Sequence, residues 1–438
     1  MGQLLEKGHR LSTKCSSNTC EIIQFLGGGG QGEVYKAKLA NREVAIKWYF
    51  PGYLEHDTDL RERIEKLIKS GAPNNRFLWP EDLVLSTEDD TSFGYVMELR
   101  ERRFKSLTDL MKRKIEPELH VLTTVGFELA FNFLQLHTMG FCYRDISFGN
   151  VFFDPSNGEV RICDNDNVDV NGTDGAIEGT PRFMAPEIVR GEATATTSTD
   201  LFSLSVLLFY LFMSSHPLEG LHESSIHSFD LPAQKQLYGL RPVFIYDPED
   251  TSNRPDPNVH RNAIDSWPIY PSFLRELFIR AFTEGLRNPD SRIRESEWRS
   301  AMARLRDCIY YCSNCGEENF CDFETKSSNA ICWSCGKNTR TPMYLQLGRH
   351  QISITRDTKI FPHHADKDSL YDFSNPVAEV SRHPTDPDRW GIKNLTQIKW
   401  TASAAGGKTL EVEPGRSIGI VPGTVINFGK TDGEIKIQ

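Results

Sequence analysis

Residues 143 to 164 read Tyr143-Arg144-Asp145-Ile146-Ser147-Phe148-Gly149-Asn150, a β-like run Val151 to Phe153, a turn from Asp154 to Gly158, a strand Glu159 to Cys163, and then Asp164. A hairpin folds back on itself, so this pattern returns Asp164 to the neighbourhood of Asn150. An amide oxygen beside a carboxylate is a hard-donor pair of the kind Mg2+ takes. Asp145 is then left free to orient a hydroxyl. Any one of these acids alone is more often an ordinary loop residue, and it is their order together with the motifs upstream that points to chemistry.

Upstream, Leu26-Gly27-Gly28-Gly29-Gly30-Gln31-Gly32-Glu33-Val34-Tyr35 contains GxGxxGxV, whose side-chain-free positions let backbone N–H groups approach a phosphate. A dinucleotide loop would run into a helix, but Val34 to Leu39 is β-like, and no GK[ST] follows to make a P-loop. The expected structure is therefore a strand–loop–strand lid: strands Glu21 to Leu26, Glu33 to Leu39 and Glu43 to Trp48 in a meander. Val44-Ala45-Ile46-Lys47 sets a lysine at the end of the third strand, where its ammonium could pair with nucleotide phosphates. Such a lysine usually needs a carboxylate to hold it, and the charged helix Leu60 to Lys69 offers Glu62 or Glu65, of which Glu62 is favoured.

The 438 residues correspond to about three domains at roughly 150 each. With 39% hydrophobic and 25% charged residues, the chain is neither a disordered polyelectrolyte nor a membrane protein by composition. A net charge of -10 argues against a general nucleic-acid or anionic-membrane binder. Met1 to Leu11 lacks an apolar core of signal-peptide length, and Glu6 stands where an N-myristoylation motif wants Ser or Thr, so neither export nor lipid anchoring is expected. The apolar run Leu201 to Met213 is too short to span a bilayer and reads as a core helix. Val121 to Met139 also carries helical periodicity, and the stretch from about Pro242 to Pro271 reads as an exposed loop. Four of ten cysteines form two CxxC pairs, a usage suited to metal binding in a reducing, cytoplasmic compartment.

From about Ile22 to Leu305 the chain resembles the eukaryotic-like (Hanks-type) protein kinase superfamily, through the motifs above and through Gly179-Thr180-Pro181-Arg182-Phe183-Met184-Ala185-Pro186-Glu187. The resemblance implies an α+β, two-lobed kinase fold and a serine/threonine phosphotransferase using ATP and Mg2+ on a protein substrate. It implies that Leu26, Gly27, Gly29, Gly32, Val34, Ala45, Lys47, Met97, Glu98 and Leu99 bind ATP, with Met97 as gatekeeper. By the same resemblance Asn150 and Asp164 hold Mg2+, Asp145 accepts the hydroxyl proton, Glu187 pairs with Arg292, and Asp200 braces the catalytic loop. Three positions depart from the pattern. Tyr143 stands for the usual His, Ser147 stands where Ser/Thr kinases carry a lysine, and Asp164-Asn165-Asp166 replaces DFG. The alternative is a nucleotide-binding pseudokinase scaffold. Thr173 and Thr180 are the candidate phosphoacceptors of the activation segment.

Cys312-Ser313-Asn314-Cys315 and Cys332-Trp333-Ser334-Cys335 are knuckles whose four thiolates close a tetrahedral shell, so a structural zinc ribbon is expected. No dense basic-aromatic cluster accompanies it, and nucleic-acid binding is not expected. Everything after Thr341 reads as short strands of a small β-sandwich. Ser381-Arg382-His383, the run Trp390 to Thr396 and the run Gly423 to Gly429 resemble a forkhead-associated domain, which implies a phosphoprotein partner contacted by Arg382. The expected organisation is an N-terminal extension (1–20), kinase N-lobe (21–99), C-lobe (100–306), zinc ribbon (307–340) and β-sandwich (341–438). A kinase with an appended ribbon looks bacterial, and such relatives often accompany a PP2C-type phosphatase and a von Willebrand-type protein.

Overall fold

The computed structural model describes every residue except 1–2, 87–90, 173–178, 326–328, 384, 387–388, 404–406 and 408. The chain forms two compact units: one of Met1–Pro117, Thr124–Ile264 and Leu277–Arg299, the other of Glu118–Thr123, Asp265–Glu276 and Ser300–Gln438. The cysteine-bearing segment and the C-terminal strands thus fall in one unit together with two short pieces from earlier in the chain.

The first unit opens with six antiparallel strands closed into a barrel in the order β1 (Arg10–Thr13), β2 (Thr19–Gly28), β3 (Gly32–Leu39), β4 (Arg42–Tyr49), β6 (Phe93–Glu98) and β5 (Asp82–Leu85). The first residues are therefore no mere extension. Strand β1 pairs with both β2 and β5 and closes the barrel, and Leu5 and Leu11 are buried in its core. The segment is polar apart from a few leucines, so its short alternation is a faint strand signal in sequence.

Strand β4 is buried on both faces from Val44 to Tyr49. Val44, Ile46 and Trp48 point into the barrel with Tyr35, Val84 and Val96. The alternation of a strand places Ala45, Lys47 and Tyr49 on the opposite face. There Ala45 and Tyr49 join a second cluster with Tyr95, Met97 and residues of helix α2 (Leu60–Ser70), which follows the short helix α1 (Pro51–His56). Lys47 is thereby carried into a closed interior. Gly94 lies opposite Trp48 in the sheet, and a Cβ on it would stand 2.2 Å from the Lys47 carbonyl oxygen, so only glycine lets β6 approach there.

Helices make up most of the remainder of this unit. Helix Thr197–Met213 is capped reciprocally by Thr196 and Thr199 and is buried from Phe202 to Met213. Helix Leu119–Thr138, which counts with this unit from Thr124 onward, is long and apolar enough to cross a bilayer, but 67% of that stretch is buried inside the folded protein. The Pro- and Asn-rich stretch after Pro242 differs from the exposed loop its composition suggests. Phe244 and Ile245 are buried, and the Asn253 amide donates to the carbonyls of Leu218 (2.9 Å) and Val243 (2.7 Å).

In the second unit, two β-hairpins, Ile309–Tyr311 with Glu318–Phe320 and Asn329–Ile331 with Asn338–Arg340, present the cysteines. Beyond them a six-stranded and a four-stranded sheet share one core that includes Leu345, Leu347, Ile392, Trp400, Ile426 and Ile435. Strand Asp432–Lys436, which the sequence pattern does not announce, runs through the middle of the larger sheet.

Because β1 closes the barrel through Leu11, which is 1% exposed, Leu11→Ala is expected to destabilise this unit by about 3 kcal/mol, the usual cost of a leucine-sized hole. Chemical denaturation monitored by tryptophan fluorescence measures it. A loss near zero would mean that the N-terminal residues contribute nothing to the barrel.

Candidate active site

A cleft of about 730 Å³ lies beneath the glycine-rich turn between β2 and β3. Its lining includes Leu26, Gly27, Gly29, Gly32, Val34, Ala45, Lys47, Met97, Glu98 and Leu99, the ten positions named from sequence, together with Asp145 and Asp164. Arg100, Phe152 and Asn167 also line it and belong to none of the sequence motifs.

On the floor, the hairpin Val151–Phe153 and Val160–Ile162 closes through Cys163 N–H donating to the Asn150 carbonyl at 2.8 Å. This sets Asp164 beside the catalytic loop. Asn150 Nδ2 donates to the Asp145 carbonyl (2.9 Å) and to Asp145 Oδ2 (3.0 Å), leaving the amide oxygen as the end available to a cation. Asp145 Oδ1 accepts from the Thr180 N–H (2.9 Å) and hydroxyl (2.7 Å). Burial pushes the Asp145 carboxyl above its ordinary value, and the hydrogen bonds from Thr180 and Asn150 only partly oppose it. Asp164, with a 40% exposed side chain, offers the second hard oxygen donor. An amide oxygen and a carboxylate are donors of the kind a divalent cation with oxygen preference takes. Thr173 lies outside the described residues.

The loop is held from below by Asp200, whose carboxylate accepts from the backbone N–H groups of Tyr143 and Arg144. The Tyr143 ring fills the place of the usual histidine. It is fully buried edge-on to Phe133, and its hydroxyl donates to the Cys163 carbonyl, tying the loop that precedes the hairpin to the hairpin's far end. Arg144 is in the left-handed region (φ 73°) and pairs with Asp169 at 3.1 Å. Glu187 Oε2 lies 2.8 Å from Arg292 Nη2.

The Lys47 partner is not the one expected. Glu62 is exposed, and Glu65 pairs with Lys14 at 2.7 Å. Neither meets Lys47, because the helical period of α2 turns Leu60, Arg63, Ile64 and Leu67 inward. Lys47 Nζ instead lies 2.9 Å from Asp166 Oδ2, 3.4 Å from Asp164 Oδ1 and 2.6 Å from Gln31 Oε1. Burial alone would drive the ammonium toward neutrality, but Asp166 and Asp164 outweigh it and hold its pKa above the ordinary lysine value.

The second centre is the four-cysteine cluster. Cys312 and Cys335 Sγ are 3.8 Å apart and Cys315 and Cys332 Sγ 3.7 Å, with all four atoms within 4.8 Å of one another. A tetrahedron of Zn–S bonds of about 2.3 Å has edges of about 3.8 Å, so the shell fits zinc. Each knuckle turns through a glycine of positive φ, Gly316 (85°) and Gly336 (68°), whose N–H donates to the carbonyl of Cys312 or Cys332 at 2.9 Å. Cys308 and Cys321 are buried outside the cluster.

Two expectations follow from these sites. His137 joins buried Asp200 and Glu295; burial lowers its pKa, but the two carboxylates raise it further, to about 9. A pKa raised from about 6.5 gives stability that is full below pH 6.5 and is lost as pH climbs through 9, on the order of 3 kcal/mol. His137→Gln is expected to flatten that decline in urea-unfolding curves taken from pH 6 to 9.5. For the cysteines, the purified chain is expected to carry about one zinc by elemental mass spectrometry and Cys332→Ser to lose it; a metal-free wild type would contradict the assignment.

Comparison with known proteins places these sites in a family. A model of the protein kinase domain matches residues 20–266, more than half of the chain. The chain is 30% identical over 225 residues to human protein kinase C delta type, covering 49% of this chain and 32% of that protein. It is 28% identical over 218 residues to a probable serine/threonine-protein kinase of Dictyostelium discoideum, covering 47% of this chain and 12% of the relative. A probable serine/threonine-protein kinase of Clostridium perfringens is 28% identical over 219 residues, 47% of this chain and 30% of the relative. The chain thus spans less than two thirds of the length of each of these relatives. The glycine-roofed cleft, the Asp145–Asn150–Asp164 floor and the matched stretch from 20 to 266 agree, and the chain belongs to the protein kinase domain family.

Proposed function

We propose that this chain is an ATP-dependent protein serine/threonine kinase. The observation that carries the reading is the convergence of Lys47, Asp145 and Asp164 on one cleft under a glycine-rich turn, with Asn150 hydrogen-bonded to Asp145. Mg2+ held by Asn150 and Asp164 would bridge and neutralise the phosphates of ATP. The backbone of Gly27 to Gly32 and the Lys47 ammonium position the triphosphate, while Met97, Glu98 and Leu99 border the base. The substrate hydroxyl oxygen forms the new bond to the γ-phosphorus as the bond to the β–γ bridging oxygen breaks, ADP leaves, and the hydroxyl proton passes to Asp145. Burial of Asp145 suits it to accept that proton.

The Thr180 hydroxyl donates to Asp145 Oδ1, so an aliphatic hydroxyl reaches this carboxylate, and Ser and Thr are the acceptors proposed. Ser147, buried in the loop, supplies no cation to the transferring phosphate. Lys47 and the metal must then carry more of the charge stabilisation. For this reason the second reading, a nucleotide-binding scaffold without transfer, stays in view as an outcome of the test.

The zinc ribbon and the two-sheet domain would recruit partners. Arg382 supports this: it is exposed and stacks at 4.7 Å on the Trp390 ring, which presents its guanidinium to a phosphorylated peptide or to the kinase's own loop. A PP2C-type phosphatase and a von Willebrand-type protein are partners of the kind such a domain would serve, in the cytoplasm.

Purified wild type incubated with Mg2+, labelled ATP and a generic protein substrate is expected to give phosphoserine or phosphothreonine, and Asp145→Asn to lower the rate by about 10²-fold or more. Nucleotide binding without transfer by wild type would replace this reading with the scaffold.

A further inference from the structure

The lysine that positions nucleotide phosphates needs a carboxylate, and in this chain the helix that would supply one supplies a cation. Arg63 occupies the inward position of α2, donating Nε to the Asp166 carbonyl at 3.3 Å and pairing with Asp57 at 2.6 Å. Arg63 shares the buried face of α2 with Leu60, Ile64 and Leu67, and its guanidinium is enclosed against Asp57 and the Asp166 carbonyl.

Asp166, two residues past the metal-site Asp164, is enclosed, with its side chain 1% exposed. Four contacts saturate its two oxygens: Oδ1 meets Lys47 Nζ (3.0 Å) and the Tyr95 hydroxyl (3.1 Å), and Oδ2 meets Lys47 Nζ (2.9 Å) and the Tyr49 hydroxyl (2.7 Å). A buried carboxylate is tolerated only with its charge and lone pairs met, and here all are met. The loop itself is fixed by Asn165, whose Nδ2 donates to the carbonyls of Leu78 and Ile162 at 2.9 Å each. Gln31 at the tip of the glycine-rich turn joins the same loop through Asn167 Oδ1 at 3.0 Å while accepting from Lys47.

We infer that Asp166 is the positioning residue of Lys47, taking the place of a helix-borne glutamate. The lysine is then anchored to the loop that carries Asp164, and its placement is independent of the carboxylates of α2. The sharing of work between the two aspartates follows from exposure: the enclosed Asp166 holds the ammonium, and the more open Asp164 is kept for the cation. This inference rests on the kinase reading for its rate measurements, but it can be read in nucleotide affinity alone.

The test is a double-mutant cycle on the full chain with Lys47→Met, Asp166→Asn and the pair, alongside Glu62→Gln and Glu65→Gln, reading affinity for a fluorescent N-methylanthraniloyl-ATP with Mg2+ and phosphate transfer. Asp166→Asn is expected to weaken nucleotide binding by about tenfold and to lower kcat by roughly 10²-fold. The double variant is expected to match Lys47→Met within about threefold, because a residue acting through Lys47 has nothing further to lose once Lys47 is gone. Glu62→Gln and Glu65→Gln are expected to stay within about twofold of wild type, since neither side chain reaches the cleft. Multiplying effects in the cycle, an Asp166→Asn protein indistinguishable from wild type, or a tenfold loss in either glutamate variant would each overturn the inference. Should Asp166→Asn fail to fold, the two glutamate variants still test it, because a tenfold loss in either overturns it. If wild type binds nucleotide with this pattern but transfers no phosphate, the kinase reading falls and the anchor stands; if it transfers phosphate without the pattern, the anchor falls and the kinase reading stands.

Discussion

An ammonium group buried in a protein interior has to be matched by a carboxylate, and the first unit is organised around that requirement at Lys47. Strand β4 is covered on both faces, so its lysine leaves water almost completely. Desolvation by itself would neutralise it. Asp166 and Asp164 prevent this, and the loop bearing them must therefore be held at a fixed distance from β4. The Asn165 amide and the Tyr49 and Tyr95 hydroxyls serve that purpose, and the two tyrosines come from the sheet itself. The ion pair thus links the barrel to the catalytic floor: a shift of either element leaves a buried charge unpaired, which is far more destabilising than losing a surface salt bridge.

The helical part repeats the device. His137 stands between Asp200 and Glu295, and Arg292 between Glu187 and the Ser198 carbonyl, all of them largely buried. Asp200 uses its other capacity to hold the backbone of Tyr143 and Arg144, so the charge of the histidine reaches the catalytic loop through one shared carboxylate. Such networks stabilise less than apolar packing of the same volume. They are directional, however, and a catalytic loop has to be held in one geometry rather than merely packed.

Most of the site was legible because its chemistry is written in fixed spacings. A glycine turn, a lysine on the second strand after it, and RDxxxxN before a hairpin are constrained by backbone geometry that sequence preserves. The four cysteines were legible for the same reason. The lysine partner was not. Choosing a glutamate from α2 required the phase of the helix, and Arg63 rather than Glu62 proved to be inside, since a long aliphatic stem with a paired head can occupy a position flanked by Leu60, Ile64 and Leu67. Asp166 stood in the sequence only as a departure from DFG, because its three donors, from β4 and β6, lie far from it along the chain. Strands β1 and Asp432–Lys436 escaped notice because each shows only one or two inward apolar residues and owes its position to its neighbours.

The local charge balance follows from the same arrangement. The ion pairs around Lys47 and Arg63 join two cations to three carboxylates, Asp57, Asp164 and Asp166. Asp57 is engaged by Arg63 and Asp166 by Lys47, so within this cluster the more exposed Asp164, which lines the cleft, carries the excess negative charge. That is an environment that favours a divalent cation over a bare phosphate. A divalent cation at Asp164 would more than offset that charge and would make this cluster a better neighbour for a triphosphate. Which aspartate is enclosed and which is left open thus separates the two tasks, and a glycine in place of Asp166 would leave Asp164 to neutralise the lysine and hold the cation at once.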